Sequence, residues 1–338
     1  MNLKERLHLL SRLGEHLRGE DEYLRAVMQR ARFNNAWFTI GNQEQAIQAI
    51  AQHFLDAGKL EAWLSRYEWQ EPAAPKTVAI VMAGNLPLVG FHDLLCVFAA
   101  GHKALIKLSE KDQYLLPYLL QLMGQFDERA TAFFETTERL QGYDAVIATG
   151  SNNSARYFEA YFSRYPHIIR KNRNGIAVLT GEESNAELVA LGQDVFQFFG
   201  LGCRNVSKLY VPRGYQFEPL LEALHEYREY VKHDKYKNNF DYNYALYILN
   251  REQYMANGCI ILTENPSLQS RIASLHYEYY DGMEAIAQEI EQRKEEIQVV
   301  VARPGLLRQA TVPFGKAQQP ELWDYADGVD TLAFLLSL

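Results

Sequence analysis

The sequence predicts an α/β protein: a parallel sheet with helices on both faces, preceded by a helical N-terminal segment. Three observations lead there. Residues 1–70 carry helical periodicity, clearest in Leu3, Leu7, Leu10, Leu13 and Leu17. A breaker, Glu71-Pro72-Ala73-Ala74-Pro75, ends that rhythm. Beyond it, apolar runs of strand length alternate with helical patterns, as in parallel strands joined by crossover helices.

In the N-terminal segment, helical pattern continues over 21–32, 43–57 and 59–67, with Gly58 as a helix stop between the last two. After the breaker, Thr77–Met82 reads as a strand, Phe91–Ala100 as a helix closing at Gly101, and Lys103–Lys107 as a strand. Gln113–Met123 is helical, Asp144–Thr149 a strand, Asn152–Tyr165 a helix and Gly175–Thr180 a strand. Ser184 with Glu187 forms a capping-box pattern that opens the next helix. Val206–Val211 alternates as a strand and stops at Pro212-Arg213-Gly214. A helical stretch follows from Phe217 to about Val231, then a segment rich in Tyr and Asn over Tyr236–Tyr244, which reads as a packed loop or as the lining of a ligand channel. Gly258–Thr263, Tyr277–Tyr280 and Gln298–Val301 read as strands, with a helix over Gly282–Arg293. The apolar end, Thr331–Leu338, reads as a strand pairing at a sheet edge, which suggests a homodimer by sheet extension.

The 338 residues are 48% hydrophobic and 22% charged, the balance of a folded globular chain. A net charge of −8 argues against a general nucleic-acid surface. One local basic run, Arg164, His167, Arg170, Lys171 and Arg173, is either a solvated charged face or a contact for a phosphate-bearing ligand. Three cysteines form neither a disulfide framework nor a zinc spacing, and Cys96 and Cys259 sit in apolar, core-like contexts. The charged start, Met1 to Arg6, is unlike a signal peptide, and no apolar run is long enough to span a bilayer. The expectation is a cytoplasmic protein without an integral membrane segment.

In open parallel sheets, ligands bind outside the carboxyl ends of the strands. Three strand ends therefore carry the candidates. Asn85 follows Gly84 and presents an amide that can donate to a developing oxyanion; a turn asparagine is the alternative. Lys107 and Glu110 can hold ribose hydroxyls and phosphates, or be solvated charges at a strand end. Gly150-Ser151 opens a helix whose N–H groups can take a pyrophosphate, or is an ordinary N-cap. The fourth candidate is Cys203 in Gly200-Leu201-Gly202-Cys203-Arg204, a thiol on a glycine-rich turn and a candidate nucleophile; a buried structural thiol is the alternative. No Gly-x-Gly-x-x-Gly follows the first strand, so that dinucleotide fingerprint is absent. No residues show metal-ligand spacing.

The order of these motifs resembles the aldehyde dehydrogenase superfamily. It runs from Gly84-Asn85-Leu86-Pro87-Leu88 through Lys107-Leu108-Ser109-Glu110 and Thr149-Gly150-Ser151 to Gly202-Cys203. Within that superfamily the chain is most similar to the acyl-CoA reductases, the luminescence-type fatty-acid reductase family. The resemblance covers about residues 75–212. Val312-Pro313-Phe314-Gly315-Lys316 and Asp327-Gly328 fall in a fitting C-terminal place.

The resemblance implies an aldehyde-dehydrogenase-like fold with a helical segment at 1–70, a nicotinamide-dinucleotide-binding domain at 71–180, an acyl-cysteine catalytic domain at 181–325 and a C-terminal strand at 326–338. It implies that Cys203 is the nucleophile and that Asn85 with the Cys203 N–H forms the oxyanion hole. Lys107, Ser109 and Glu110 would hold the adenosine ribose, and Gly150 and Ser151 the pyrophosphate. It also implies reduction of a fatty acyl-CoA to the aldehyde, with NADPH as cofactor and NADH as the alternative. Hydrolytic aldehyde dehydrogenases carry a Glu-Leu-Gly-Gly segment upstream of the cysteine, whose glutamate activates water. Here that region reads Arg170-Lys171-Asn172-Arg173-Asn174-Gly175, without a carboxylate, which fits an acyl-thioester kept for hydride. Rival expectations are an acyl-phosphate or semialdehyde reductase of the same superfamily, and a non-redox acyl-transfer or acyl-carrier protein using Cys203.

Overall fold

A computed structural model describes all residues from Met1 to Leu338. They form two compact units, Met1–Asn172 with Pro320–Leu338, and Arg173–Gln319.

The first unit opens with helices α1 (Leu3–Leu17), α2 (Glu22–Asn34), α3 (Ile40–Ala49) and α4 (Ala57–Leu64). Asn2 caps α1 in a full capping box with Glu5. A π-helical turn, Ile50–Phe54, continues α3, and Asp56 then caps α4 by accepting the Lys59 N–H. Gly58 therefore lies inside α4 and is not a helix stop; the break falls earlier, at the Asp56 cap.

Sheet A follows: β1 (Thr77–Val81), β2 (Lys103–Lys107), β3 (Phe134–Thr136), β4 (Ala145–Thr149) and β5 (His167–Arg170), in the order β3-β2-β1-β4-β5. Every pairing is parallel. Helices α5 (Phe91–Ala99), α6 (Leu115–Phe126) and α7 (Asn152–Phe162) make the crossovers. Strand alternation sends Val78, Ile80, Ile106 and Ile147 into the core shared with α5 and α6. It sends Ala79, Leu105, Val146 and Ala148 to the opposite face, against Phe162 of α7.

The second unit holds sheet B: β6 (Asn174–Val178), β7 (Val206–Pro212), β8 (Met255–Ala256), β9 (Ile261–Glu264), β10 (Ser274–Tyr280) and β11 (Ile297–Val301), in the order β11-β6-β7-β10-β9-β8. Only β8 runs antiparallel to its neighbour. Helices α8 (Asn185–Phe196), α9 (Glu218–His225), α10 (Asp234–Asn250) and α11 (Met283–Gln292) complete it. The Ser184–Glu187 capping box opens α8 as the sequence predicts.

Three further expectations change. The Tyr236–Tyr244 segment is part of helix α10, with Tyr236 buried and its hydroxyl donating to the Cys259 carbonyl at 2.8 Å. The C-terminal segment expected as a strand is helix α12 (Thr331–Leu336), capped by Asp330 and buried through Thr331, Leu332 and Leu335. The sheet edge on which the dimer expectation rested is therefore not there. The basic run is not one solvated face either. Arg170 is the last residue of β5, retains 3% of its exposure and pairs with Asp93 at 2.5 Å. It also donates to the Thr331 hydroxyl at 2.8 Å and the Ala326 carbonyl at 2.5 Å. Its charge thus holds the C-terminal helix and is not presented to a phosphate.

The unit boundaries also differ from the expected segments. Residues 320–338 belong with the first unit, and the division near the middle falls at 172/173, between β5 and β6.

Candidate active site

The strand order of sheet A reverses between β1 and β4, so the crevice of an open α/β sheet lies at their carboxyl ends. Asn85 follows β1, Gly150 and Ser151 follow β4, and Lys107, Ser109 and Glu110 end or follow the neighbouring β2. The structure thus brings the expected residues of the first unit to one edge of one sheet. Asn85, Lys107, Glu110 and Ser151 are all exposed there.

The loops are fastened to one another. The Met82 N–H donates to the Lys107 carbonyl at 3.1 Å, extending the β1–β2 register past the strand end. A Cβ on Gly84 would stand 2.3 Å from the Ser109 Oγ, so only glycine lets these loops touch. Leu88 adopts a left-handed backbone, φ 56°, and its N–H donates to the Asp112 carboxylate at 2.8 Å. Burial pushes the Asp112 carboxyl up to about 6, against the lowering effect of that N–H. From the other side, Asn34 and Asn35 donate to the Glu110 and Lys111 carbonyls at 3.0 and 3.3 Å.

At β4, Ser151 caps α7 by accepting the Ser154 N–H at 3.2 Å. The preceding N–H groups of the first turn have no partner inside the helix and favour an anion. A Cβ on Gly150 would meet Ser154 Cβ at 2.8 Å and Phe158 at 2.9 Å, so glycine lets the strand end pack tightly on the helix. Such a helix start at a strand end can take an anionic group.

In the second unit, the turn carrying Cys203 joins α8 to the amino end of β7. Phe198, Phe199 and Gly200 are left-handed in succession, with φ of 53°, 59° and 73°. Two aromatic residues in that region cost roughly 1–3 kcal/mol each. Packing offsets this: the Phe199 ring lies 4.4 Å from His233 and 5.3 Å from Tyr230, and Phe196 stacks on Tyr227 at 4.9 Å.

Asn205 closes the turn. Its side-chain oxygen accepts the Gly202 N–H at 2.8 Å, and its amide donates to the carbonyls of Asp194 at 3.0 Å and Gln197 at 2.8 Å. Gly175 of β6 admits the exit strand closely: a Cβ there would lie 2.6 Å from the Asn205 carbonyl oxygen. Buried Asp194, its carboxyl pushed up to about 6 by desolvation, accepts the N–H groups of Gly315 at 2.6 Å and Ala317 at 2.9 Å. Arg204 donates to the Ala317 carbonyl at 2.5 Å. The 312–317 segment is thereby docked beside the cysteine turn.

Of the three thiols, only Cys203 is exposed. Burial pushes the Cys259 thiol up to about 12 and Cys96 well above its ordinary range, so neither supplies a thiolate near neutrality. Two carboxylates at the start of α8 are engaged in local bonds. Glu183 accepts from the Thr180 N–H, the Thr180 hydroxyl and the Gly181 N–H. Glu187 is held down to about 2 by Arg303 and the Ser184 N–H. Sequence reasoning missed Asp112, Asp194 and Asn205. Only Asn205, a turn-forming type two residues after the cysteine, left a local signal.

No protein-family model and no curated protein matches the sequence. Solved structures do match in shape. The P. syringae indole-3-acetaldehyde dehydrogenase in complex with NAD+ and IAA superposes with TM-score 0.65 at 16% identity, covering 89% of this chain and 72% of that one. An NAD-dependent aldehyde dehydrogenase from Sinorhizobium meliloti gives 0.64 at 14%, covering 89% and 70%. Aldehyde dehydrogenase C from Pseudomonas syringae, in complex with NAD+ and octanal, gives 0.63 at 13%, covering 89% and 72%. The chain therefore has the aldehyde-dehydrogenase-like fold, α/β with parallel sheet A, mixed sheet B and a helical N-terminus.

Proposed function

We propose that the chain is a nicotinamide-dependent oxidoreductase that reduces an acyl-CoA to the aldehyde through a thioester on Cys203. The observation that carries this reading is Cys203 itself: an exposed thiol on a strained turn, while the other two cysteines of the chain are buried with their thiolates suppressed. The segment Arg170-Lys171-Asn172-Arg173-Asn174-Gly175 carries no carboxylate, which supports retention of the acyl group over its hydrolysis. The structural neighbours bound to NAD+, one also with octanal, support a dinucleotide at sheet A and an aliphatic acyl group.

In this reading the Cys203 thiolate attacks the thioester carbonyl. Asn85 and the Cys203 N–H are assigned to the oxyanion, where loss of one donor typically costs ~10²–10³ in rate. The tetrahedral adduct expels CoA as its thiolate, which takes up a proton, leaving acyl-Cys203. A bound reduced nicotinamide supplies the hydride. The resulting thiohemiacetal collapses, releasing the aldehyde and restoring the Cys203 thiolate. Lys107, Ser109 and Glu110 are assigned to the adenosine ribose, and Gly150 and Ser151 to the pyrophosphate. Glu110 favours two ribose hydroxyls and Lys107 a 2′-phosphate, so NADPH and NADH are both carried into the test.

The test incubates the protein with acyl-CoA of several chain lengths and follows NADPH and NADH consumption by absorbance, with intact mass for the adduct. Oxidation of cofactor with an acyl adduct that Cys203→Ser abolishes is expected. Turnover with acyl phosphate alone would move the substrate class. An adduct without any dinucleotide binding would leave only acyl transfer.

A further inference from the structure

We propose that Asp112 is a positioning residue that ties the loop carrying Asn85 to the loop carrying Lys107, Ser109 and Glu110, so that dinucleotide binding at β2 orders the oxyanion donor at β1. This rests on the reductase reading and adds to it a coupling between two of its parts.

The geometry is specific. Leu88, three residues after Asn85, is left-handed at φ 56°, a conformation an isolated leucine avoids. Its N–H donates to Asp112 Oδ2 at 2.8 Å, across 24 residues of sequence. Asp112 is itself fixed in the β2 loop, since its N–H donates to the Ser109 carbonyl at 3.0 Å. The same two loops touch through Gly84 and Ser109, and through the Met82–Lys107 hydrogen bond. Asp112 is the one side chain that makes a hydrogen bond among these links. It retains 8% of its exposure, and its Oδ1 is buried without a partner. A buried carboxylate with one satisfied oxygen is a costly stability device, and a neutral acceptor would fasten Leu88 as well. Its placement is explained by what it joins: Ser109 and Glu110, assigned to the ribose, lie three and two residues from Asp112, and Asn85 lies three from Leu88. A ligand that orders the Ser109–Asp112 turn therefore orders the acceptor that holds the Asn85 loop.

The test measures amide exchange over 84–90 with and without NADP+ or NAD+, in the wild type, Asp112→Ala and Asp112→Asn. In the wild type the dinucleotide slows exchange at 84–90 as well as at 107–112. Asp112→Ala exchanges the Leu88 amide roughly tenfold faster, the fold-change of one lost hydrogen bond, and binding no longer slows 84–90. Asp112→Asn, whose carbonyl accepts the same N–H, restores the response. In parallel, NADP+, which cannot reduce the acyl group, accelerates acylation of Cys203 by acyl-CoA in the wild type and in Asp112→Asn but not in Asp112→Ala. Equal exchange responses in wild type and Asp112→Ala would overturn the coupling, as would wild-type protection confined to 107–112. Should Asp112→Ala fail to fold, Asp112→Ser, which fits the cavity without reaching Leu88, takes its place with the same expected loss. Absence of an acyl adduct on the wild type, with the exchange coupling intact, would remove the reductase reading and leave the coupling standing.

Discussion

Asn205 and Gly202 are bound across the turn that carries Cys203, the Gly202 N–H donating to the Asn205 side-chain oxygen at 2.8 Å. One side chain thereby satisfies the turn from inside and the carbonyls at the end of α8 from outside. The Gly202 N–H is consumed by this bond.

Asn205→Ala is expected to lower stability by about 2–4 kcal/mol, since the half-buried Gly202 N–H loses its acceptor and several carbonyls lose their donor. Urea denaturation measures it. Asn205→Asp is expected to be worse above neutral pH, because a carboxylate would then face the Asp194 and Gln197 carbonyls. The rate of Cys203 alkylation in both variants should differ from that of the wild type; an unchanged rate would show that the turn does not depend on Asn205.

Asp112 and Asp194 give pH-dependent stability of known sign. Both carboxyls are raised to about 6 by burial. A raised acid binds its proton more tightly in the folded chain, so its contribution is present below pH about 4 and lost as pH rises through about 6. Asp112→Asn removes that loss and should stabilise the protein at pH 7–8 by roughly 1–3 kcal/mol, with little gain near pH 4. Asp194→Asn should do the reverse at neutral pH. Both Asp194 oxygens accept backbone N–H groups, and an amide turns one of them into a donor facing a donor. Denaturation midpoints measured from pH 4 to 8 separate the two.

Gly84→Ala is expected to weaken dinucleotide binding by roughly tenfold or more, because the new methyl must push Ser109 away. Cys203 alkylation in the absence of cofactor should be unchanged. A titration showing wild-type affinity for both NADPH and NADH would remove the Ser109 loop from the dinucleotide site.

Arg170→Met is expected to destabilise by about 3–5 kcal/mol, because Asp93 is left as a buried, unpaired charge and α12 loses its docking point. The double variant with Asp93→Leu should recover much of that. Neither should alter the affinity for a phosphate-bearing ligand, since the guanidinium faces Asp93, Ala326 and Thr331.

The sequence by itself determined the elements that follow from local pattern. Strand alternation and helical spacing depend on neighbours one to four residues apart. Thr77–Val81, Lys103–Lys107, Ala145–Thr149 and the Ser184–Glu187 cap were therefore legible, and so was the buried state of Cys96 and Cys259. The alternation also implied the parallel sheet, and hence which residues meet at its carboxyl edge. Tertiary structure decided what depends on distant partners. Thr331–Leu338 is an apolar run that suits a strand or a helix; Asp330 capping its start, with Arg170 on Thr331, makes it a helix. Arg170 read as surface charge because Asp93, 77 residues earlier, cannot be paired with it from spacing. Asp112 and Asp194 carry no local signal, yet their carboxylates hold Leu88 and the Gly315–Ala317 turn. A buried carboxylate is defined by the donors that chain folding brings to it, and no local pattern records them.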